Sequence, residues 1–352
     1  MTGVVVAGAL AAKPGNGGEA WVRLSYVLGL QRLGFEVRFA ERLADPSSTA
    51  VSYFREVTRR FGIAATLVGA GGEPIVGEPI ESGDLLLDIS GNLRAFRGQF
   101  RRTAFVDIDP GFTQFWHVQG VDRLPTYDTY FTIASNIRNP ACPIPTGGIE
   151  WRPTLPPVVL DLWPVANGGF DRFTTVASWR CPYGPLEGYG PKHHAWRRFA
   201  GFPHDSELGF EAVLRIDPAD EPDRLALEEG GWRIADPELV ASPDDFQRYV
   251  ATAGAEFSVA QGVYVDTQSG WFSDRSARYL ASGKPVLVQD TGFRSSLPVG
   301  DGLLAFDGTE DAARAARSIV ADYDRHSRAA RAIAEEHFDS DRVLTEMLES
   351  AL

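Results

Sequence analysis

The sequence predicts an α/β protein made of two successive α/β halves, and three observations lead to this prediction. The length of 352 residues favours two domains over one. Short apolar runs typical of buried parallel strands alternate with helical segments along the whole chain. Seven prolines between residues 138 and 169 separate the first series from the second. We interpret this segment as the interdomain connection, with a short strand of its own at 158–160.

The composition bounds the classes of protein to which this chain can belong. Hydrophobic residues make up 44% and charged residues 23% of the chain, which are ordinary values for a globular protein. No stretch approaches about 18 consecutive apolar residues, so no transmembrane segment is predicted. The N-terminus lacks the basic region of a secretory signal, which favours a cytoplasmic protein. The two cysteines, Cys142 and Cys181, are expected to be reduced thiols, although one bridge between them stays open.

The net charge excludes one class of partner. Lys and Arg number 34 and Asp and Glu number 47, which gives a net charge of −13. Sequence-independent binding of nucleic acid depends on neutralising phosphates, so we expect no nucleic-acid partner. A small phosphate ligand remains compatible with this charge, because its site needs only a few local cations and amides.

The first half begins as a βαβ unit with a glycine-rich first turn. A strand is predicted at 4–7, a loop at 8–18, a helix from Ala20 to Leu30 and a second strand at 35–39. Gly34 is a natural helix stop between them. The further elements predicted for this half are a helix at 52–61 and strands at 84–89, 103–109 and 129–134.

The second half repeats the same alternation. Ser242 and Pro243 are typical of the N-cap and first position of a helix. The tail from 310 to 352 is rich in Ala, Arg and Glu and predicts helices with a break at 338–340. The strands predicted here are 173–178, 210–216, 255–260 and 285–289, with one more helix at 192–199.

The segment 269–292 carries the most information about function. Ser273 is an N-cap candidate for a helix over 274–282, which ends at Gly283 and Pro285. The loop from Gln268 to Ser273 would deliver free backbone N–H groups at this helix N-terminus, which is a ready anion site. An ordinary capped helix with no ligand is the alternative.

Three short motifs resemble those of a known family. Residues 278–287 read RYLASGKPVL, which resembles the A-x-G-x-P-V nucleotide-sugar signature of the GT-B glycosyltransferases. Residues 15–18 (GNGG) and 33–37 (LGFEV) resemble the glycine-rich loop and the L-G-x-x-V element of their N-terminal domain. Residues 176–180 (VASWR), in which Arg180 follows a strand end, and Lys192 beyond a loop are similar to the strand, Arg and later Lys that bind donor diphosphate in retaining members.

This resemblance to GT-B enzymes of the glycosyltransferase family 1/4 type covers nearly the whole chain. It implies two Rossmann-like domains facing each other across a cleft. The N-terminal, acceptor-side domain would span 1–165, the nucleotide-sugar domain 166–335, and a last helix at 336–352 would cross back to the first domain. The implied activity is transfer of a sugar from a nucleotide-sugar donor to a small-molecule or glycan acceptor, with no metal or other cofactor.

One position departs from the family pattern. Retaining members typically have Glu where this chain has Arg278, and that Glu binds the nucleotide ribose. Arg cannot accept a hydrogen bond. Either another group holds the ribose, or Arg278 meets phosphate, or donor binding is lost. The alternative is an i,i+4 ion pair between Asp274 and Arg278 on an exposed helix face.

The donor-binding candidates combine flexible backbone, cations and helix amides. Glycines let the backbone approach a diphosphate closely, Arg can grip phosphate in a bidentate manner, and Lys acts as a point charge. A flexible connection and solvated surface cations are the structural alternatives. The candidates are Gly15, Asn16, Gly17, Gly18, Arg180, Lys192, Gly270, Ser273, Asp274 and Arg278.

The catalytic candidates are Asp109 and, second, His117. They lie at or just after the end of a buried strand of the first half, and the carboxyl ends of strands face the ligand crevice in open α/β sheets. An inverting transferase needs a base to deprotonate its acceptor. A turn-capping Asp and a structural His are the alternatives. Phe112, Phe115 and Trp116 of the same loop either line an acceptor pocket or pack in the core.

Two other classes of function remain open. A nucleotide-sugar epimerase or hydrolase on the same fold would turn over a nucleotide-sugar without an acceptor. A non-catalytic protein that binds nucleotide-sugar or a partner would bind without turnover, and Arg278 favours it. The fold cannot decide among these classes. The donor base and sugar, the acceptor, the stereochemical outcome and a homodimeric state stay open too.

Overall fold

Two β-sheets, one in each half of the chain, form the framework of the protein. The computed structural model describes residues 3–166, 168–180 and 186–352. The strands are β1 (Gly3–Ala7), β2 (Glu36–Arg42), β3 (Ala64–Val68), β4 (Pro74–Val76), β5 (Gly83–Ile89), β6 (Phe100–Asp107), β7 (Thr129–Thr132), β8 (Trp151–Pro153), β9 (Phe173–Ser178), β10 (Phe210–Arg215), β11 (Arg233–Ala235), β12 (Ala255–Ser258), β13 (Val286–Gln289) and β14 (Leu303–Phe306). We call the part that carries β1–β8 the N-half and the part that carries β9–β14 the C-half.

Helices connect and cover these strands. The helices are α1 (Gly17–Arg32), α2 (Ser48–Arg60), α3 (Phe112–Gln119), α4 (Lys192–Arg197), α5 (Phe202–Ser206), α6 (Glu221–Glu229), α7 (Pro243–Thr252), α8 (Gly262–Asp266), α9 (Asp274–Ala281), α10 (Thr309–Ala321), α11 (Tyr323–His337) and α12 (Ser340–Ala351). In the described part of the chain, no helix combines the length and the apolar character needed to cross a membrane.

Both sheets reverse their strand order at one point. The N-half order is β4-β3-β2-β1-β5-β6-β7-β8, and the C-half order is β11-β10-β9-β12-β13-β14. All the pairings are parallel except β3 with β4. The order reverses between β1 and β5 and again between β9 and β12. In open α/β sheets, ligands bind outside the carboxyl ends of the strands at such reversals. The prediction of an α/β protein of two Rossmann-like halves is confirmed.

One hydrophobic core joins the two halves. A single cluster of buried side chains contains Val6 and Leu87 of the N-half sheet together with Val213 and Tyr279 of the C-half. Trp21 of α1 stacks edge-on against Trp163 and donates its indole N–H to the carbonyl of Pro243. The contacts of Trp21 with Trp163 and Pro243 therefore hold α1 of the N-half against the N-terminus of α7.

The predicted interdomain connection is more structured than the sequence indicated. Within it, β8 adds an edge strand to the N-half sheet. The predicted strand at 158–160 is wrong: Val158 forms only an isolated bridge with Asp339, and a 3₁₀ turn follows at 160–162. Pro156 and Pro157 have no backbone N–H, which leaves Val158 as the first residue able to donate. The predicted domain boundary at 165/166 falls between β8 and β9 and stays a prediction.

The tail returns to the first half. The predicted break is confirmed, because α11 ends at His337 and Asp339 caps α12. A further break at Asp322, which the sequence pattern did not indicate, separates α10 from α11. The last helix, α12, packs against α1, and a side chain added at Gly29 would collide with Leu344.

Three local predictions need correction. Gly17 and Gly18 belong to the first turn of α1 rather than to a loop, because the Asn16 side chain caps the helix by accepting from the N–H of Glu19. The strand predicted to run to 109 ends at Asp107. The aromatic residues 112–116 lie on α3, where Gln114 caps the start of the helix through the N–H of Gly111. Cys181 lies outside the described residues.

Candidate functional site

A cavity of about 240 Å³ lies between the carboxyl ends of the two sheets. Its N-half wall is formed by the β1–α1 loop, the first turns of α1 and the end of β6. Its C-half wall is formed by the ends of β9 and β10, the start of α4, α8 and the first turns of α9. The cavity therefore occupies the crevice that both strand-order reversals predict.

A buried carboxylate shapes the β1–α1 loop on the N-half wall. Glu41 of β2 is fully buried and accepts from the backbone N–H groups of Leu10, Ala11 and Ala12 at 2.8, 2.5 and 2.9 Å. Because three amides point at one side chain, the loop has a fixed path across the end of the sheet. Gly15 follows in a left-handed conformation, with φ of 69°, which favours glycine.

A second buried carboxylate fixes the turn after β6. Asp107 accepts from Thr113 Oγ1, Gln114 Nε2 and Thr132 Oγ1 at 2.8, 2.7 and 2.7 Å. Asp109, two residues further, is half-buried and lines the cavity. The turn therefore presents the Asp109 carboxyl to the space between the two halves.

The environment of Asp109 suits an acid–base role near neutral pH. Burial, together with the charges of Glu19 and Asp107, raises the pKa of Asp109 to about 6. The hydroxyl of Tyr264, from α8 of the C-half, donates to Asp109 Oδ1 at 3.1 Å. Tyr264 itself stacks on Trp271, with ring centroids 4.4 Å apart. The two halves thus meet at this carboxyl.

Cations line the C-half wall at the ends of adjacent strands. Arg180 follows β9, Arg215 ends β10, and Lys192 opens α4; all three line the cavity. Arg180 makes a bidentate pair with Asp220, both bonds being 2.6 Å. Arg215 donates to the carbonyl of Gly15 at 3.2 Å and, among the described residues, has no carboxylate within ion-pair distance. The charge of Arg215 is therefore less neutralised than that of Arg180.

A half-buried arginine, Arg275, holds α9 against the strand ends. Ser273 caps α9 by accepting from the N–H of Arg275 at 3.2 Å, as its sequence predicts. The Arg275 guanidinium donates to Glu256 Oε1, the Val176 carbonyl and Ser258 Oγ, at 2.5, 2.6 and 2.6 Å. The N-terminus of α9 is thus fixed at the end of β9 and β12, facing the cavity.

Arg278, the departure from the family pattern, forms an ion pair with Asp274. Its side chain is 1% exposed, so the expectation of an exposed helix face is wrong, although the i,i+4 partner is the expected one. The guanidinium also lies over Trp163 at 5.9 Å and donates to Ser25 Oγ at 3.3 Å. Burial lowers the pKa of Arg278, and Asp274 opposes that shift. Arg278 is thus buried among groups distant along the chain, Ser25 of α1 and the Trp163 ring.

Most of the residues proposed from sequence come together at the cavity. Those that line it are Asp109, Gly15, Asn16, Gly18, Arg180, Lys192, Ser273, Asp274 and Arg278. Gly17, Gly270 and His117 are not among the described lining residues. A side chain at Gly17 would collide with the carbonyl of Ser242, and Gly270 donates to the carbonyl of Thr291 at 2.7 Å.

His117 lies on α3 with a structural hydrogen bond. Its Nδ1 accepts from the N–H of Leu124 at 3.0 Å, and its ring packs against Gly147. The part of the chain that the structure describes places it away from the cavity lining. Asp109 is therefore the better placed of the two catalytic candidates.

Sequence reasoning missed several cavity residues that can bind or titrate, among them Lys13, Glu19, Tyr26, Arg215, Tyr264 and Arg275. The rule that selected Asp109, a charged residue at the carboxyl end of a strand, would also have selected Arg215. Tyr264 left no such signal, because it meets Asp109 across 155 residues of chain.

No protein-family model matches the sequence, and no curated protein matches it. Solved structures match along the whole chain. HepE of Anabaena, in complex with UDP and glucose, aligns with a TM-score of 0.63 at 12% identity and covers 99% of this chain and 100% of its own. AviGT4, a glycosyltransferase involved in avilamycin A biosynthesis, aligns at 0.63 and 15% identity, with coverage of 99% and 97%. A glycosyltransferase of Rickettsia africae aligns at 0.57 and 10% identity, also with coverage of 99% and 97%.

These alignments define the class of fold. The chain has the GT-B fold, in which two Rossmann-like domains face each other across a cleft, as the sequence resemblance implied. Its structural neighbours HepE and AviGT4 share this fold over nearly their full length.

Proposed function

We propose that this protein is a nucleotide-sugar glycosyltransferase that works without a metal ion. One observation carries the proposal. The cavity between the two strand-order reversals has cations on its C-half wall and, on its N-half wall, the Asp109 carboxyl, whose pKa is raised to about 6. Diphosphate binding and acceptor deprotonation are the two tasks of such an enzyme. The walls supply one group of residues for each task.

The C-half wall is the proposed site of the donor diphosphate. Arg215 offers a guanidinium without a carboxylate partner among the described residues, and Arg180 and Lys192 lie at the neighbouring strand and helix ends. Arg–phosphate hydrogen bonds are charge-assisted and are stronger than neutral ones. The N–H groups at Ser273 and the backbone at Gly15, Asn16 and Gly18 complete the proposed contacts. The structures of HepE contain UDP and UDP-glucose, which makes these molecules the first probes.

Asp109 is the proposed general base. Its carboxylate would take the proton of an acceptor hydroxyl as that oxygen bonds to the anomeric carbon. The bond from the anomeric carbon to the diphosphate breaks in the same step, and the diphosphate leaves with its electron pair. Such a base contributes about 10²–10⁴-fold to the rate. Cations of the C-half wall, with the α9 amides, would stabilise the departing charge.

Calorimetry with UDP, GDP, ADP and dTDP tests the first part of this proposal. We expect one of these diphosphates to bind, with affinity that falls as salt rises, because the contacts are ionic. Absence of binding for all four at millimolar concentration would contradict a nucleotide-sugar site.

Turnover assays then separate the enzyme from its alternatives. A glycosyltransferase consumes donor faster when an acceptor is present and keeps its activity in chelator. Rapid turnover without any acceptor would indicate an epimerase or hydrolase, and binding without turnover across an acceptor panel would indicate a non-catalytic protein. Loss of activity in chelator, restored by magnesium or manganese, would contradict metal-independence.

A further inference from the structure

Two acid–arginine pairs of the same spacing face the cavity from opposite halves. Glu19 in the first turn of α1 pairs with Arg23, and Asp274 in the first turn of α9 pairs with Arg278. The arginine side chains are 4% and 1% exposed, whereas the carboxylate side chains are 31% and 33% exposed. Each buried arginine therefore holds a carboxylate in place at the cavity surface.

These carboxylates change what the helix ends can bind. A negative side chain in the first turn partly neutralises the positive end of the helix dipole. Burial opposes ionisation of Glu19, but Arg23 and Lys13 outweigh it and lower the pKa of Glu19 to about 2. Glu19 is therefore charged at any working pH. Ionised carboxylates accept hydrogen bonds and cannot donate them, so these two side chains favour a ligand group that donates, whereas the amides remain donors.

A buried hydroxyl without a partner lies in the same place. Tyr26 of α1 is 2% exposed and lines the cavity, and within the described chain its hydroxyl has no hydrogen-bond partner. The charges of Asp274, Arg23 and Arg278 all act on this phenol. Leaving a buried polar group unpaired destabilises the protein, because the group has lost its hydrogen bonds to water. A ligand that supplies the missing partner would remove that destabilisation.

We propose that Glu19, Asp274 and Tyr26 form a subsite for the ring hydroxyls of the transferred sugar. This inference rests on the proposed function. Sugar hydroxyls would donate to the two carboxylates, and the Tyr26 hydroxyl would bond to a third oxygen of the ring. A phosphate at the same place would be repelled by both carboxylates and belongs instead beside Arg215.

The position of the subsite favours the transferred sugar over the nucleotide ribose. Glu19 comes from the N-half and Asp274 from the C-half, so the subsite spans the cleft rather than lying within one half. The charge of Glu19 also contributes to the environment of Asp109, the proposed base. The group bound here therefore lies next to the residue that would activate the acceptor.

Calorimetry on three variants tests the subsite: Glu19→Gln, Asp274→Asn and Tyr26→Phe. The probes are UDP and UDP-glucose, or whichever diphosphate and its nucleotide-sugar the wild type binds. We expect each carboxylate variant to lower the ratio of nucleotide-sugar affinity to diphosphate affinity by about tenfold, the lower end for hydrogen bonds to charged groups. Tyr26→Phe should lower the ratio by about threefold, and diphosphate affinity alone should change by less than about threefold.

Two controls separate recognition from folding. Asp274→Asn leaves Arg278 buried without its partner, so the double variant D274N/R278M is measured beside it, with melting temperatures for all. Glu228→Gln removes the acid of the i,i+4 pair with Arg224 on α6, outside the cavity lining, and should leave the ratio unchanged.

The results distinguish failure of the subsite from failure of the proposed function. A wild type that binds no diphosphate overturns the proposed function, and the subsite falls with it. If the diphosphate binds but the variants keep the wild-type ratio, only the subsite is overturned. An equal loss of affinity for the diphosphate and its nucleotide-sugar would also overturn it, because the carboxylates would then serve the nucleotide.

Discussion

The two walls of the cavity differ in how their charges are held. On the N-half wall, Lys13 and the buried Arg23 both pair with Glu19, so that the cations are committed to a carboxylate. On the C-half wall, Arg215 has only a backbone carbonyl as a partner among the described residues. The partner of Arg180, Asp220, stands outside the described cavity lining.

This difference assigns a task to each wall. An anion gains most from cations whose charge is not already neutralised, which favours the C-half wall for phosphate. On the N-half wall, Asp109 and Glu19 lie next to the ligand space, where a carboxylate accepts hydrogen bonds or protons. The net charge of −13 gives no sign of this separation, because it sums the charges of the whole chain.

The largest effect is expected on the N-half wall, from Asp109→Asn. We expect turnover to fall by about 10²–10⁴-fold, because an amide cannot take the acceptor proton. Wild-type activity should rise with pH through about 6, where the Asp109 carboxyl ionises. The variant should lose that rise while it binds the diphosphate as the wild type does. Activity within threefold of the wild type would show that another group is the base.

Arg215→Ala compares the walls directly. We expect diphosphate affinity to fall by about 10–100-fold, since hydrogen bonds to charged groups are worth about 1.5–3 kcal/mol. Lys13→Ala on the other wall should cost less than about threefold, because Glu19 already uses that charge. Calorimetry at one salt concentration measures both. Equal losses for the two variants would break the distinction between the walls, and Arg224→Ala on α6 serves as the distant control.

The rigidity of the N-half wall is tested by Glu41→Gln. We expect the free energy of unfolding to fall by about 1–3 kcal/mol, because the amide N–H₂ group would face backbone donors that now meet a carboxylate oxygen. Urea denaturation measures this change. Glu36→Gln, at an exposed position of β2, should change the unfolding free energy by less than about 0.5 kcal/mol. A stable Glu41→Gln protein would show that the loop keeps its path without the carboxylate.

The smallest effect is expected where the walls meet, from Tyr264→Phe. The Tyr264 hydroxyl donates to the Asp109 carboxylate and lowers its pKa, so its removal should raise that pKa. The rise of activity with pH should therefore move to higher pH, with roughly a two- to fivefold loss of rate at pH 6. Tyr323→Phe removes a hydroxyl bonded to Gly254, away from the cavity lining, and should leave the pH profile unchanged. A profile that moves to lower pH would contradict the hydrogen-bond direction.

Local chemistry in the sequence was sufficient for the elements that position the site. Ser242 and Ser273 cap their helices as predicted, and the buried strands at 84–89 and 173–178 appear within one residue of their predicted bounds. Helix caps and buried strands are encoded by a few neighbouring residues, so they can be predicted from a single sequence. Short edge strands such as β4 and β11, with three residues each, carry too little pattern to predict.

The sequence by itself also determined which residues stand at the carboxyl ends of strands, and thereby brought Asp109 and Arg180 to the cavity. Only the tertiary structure decided which site residues are buried and with which partners they pair. Arg278 is buried against Ser25 and Trp163, Tyr264 reaches Asp109 from the other half, and Arg180 is paired with Asp220. Strand ends follow from a repeating local pattern, whereas burial and pairing depend on side chains distant along the chain, whose meeting is set by the packing of two halves.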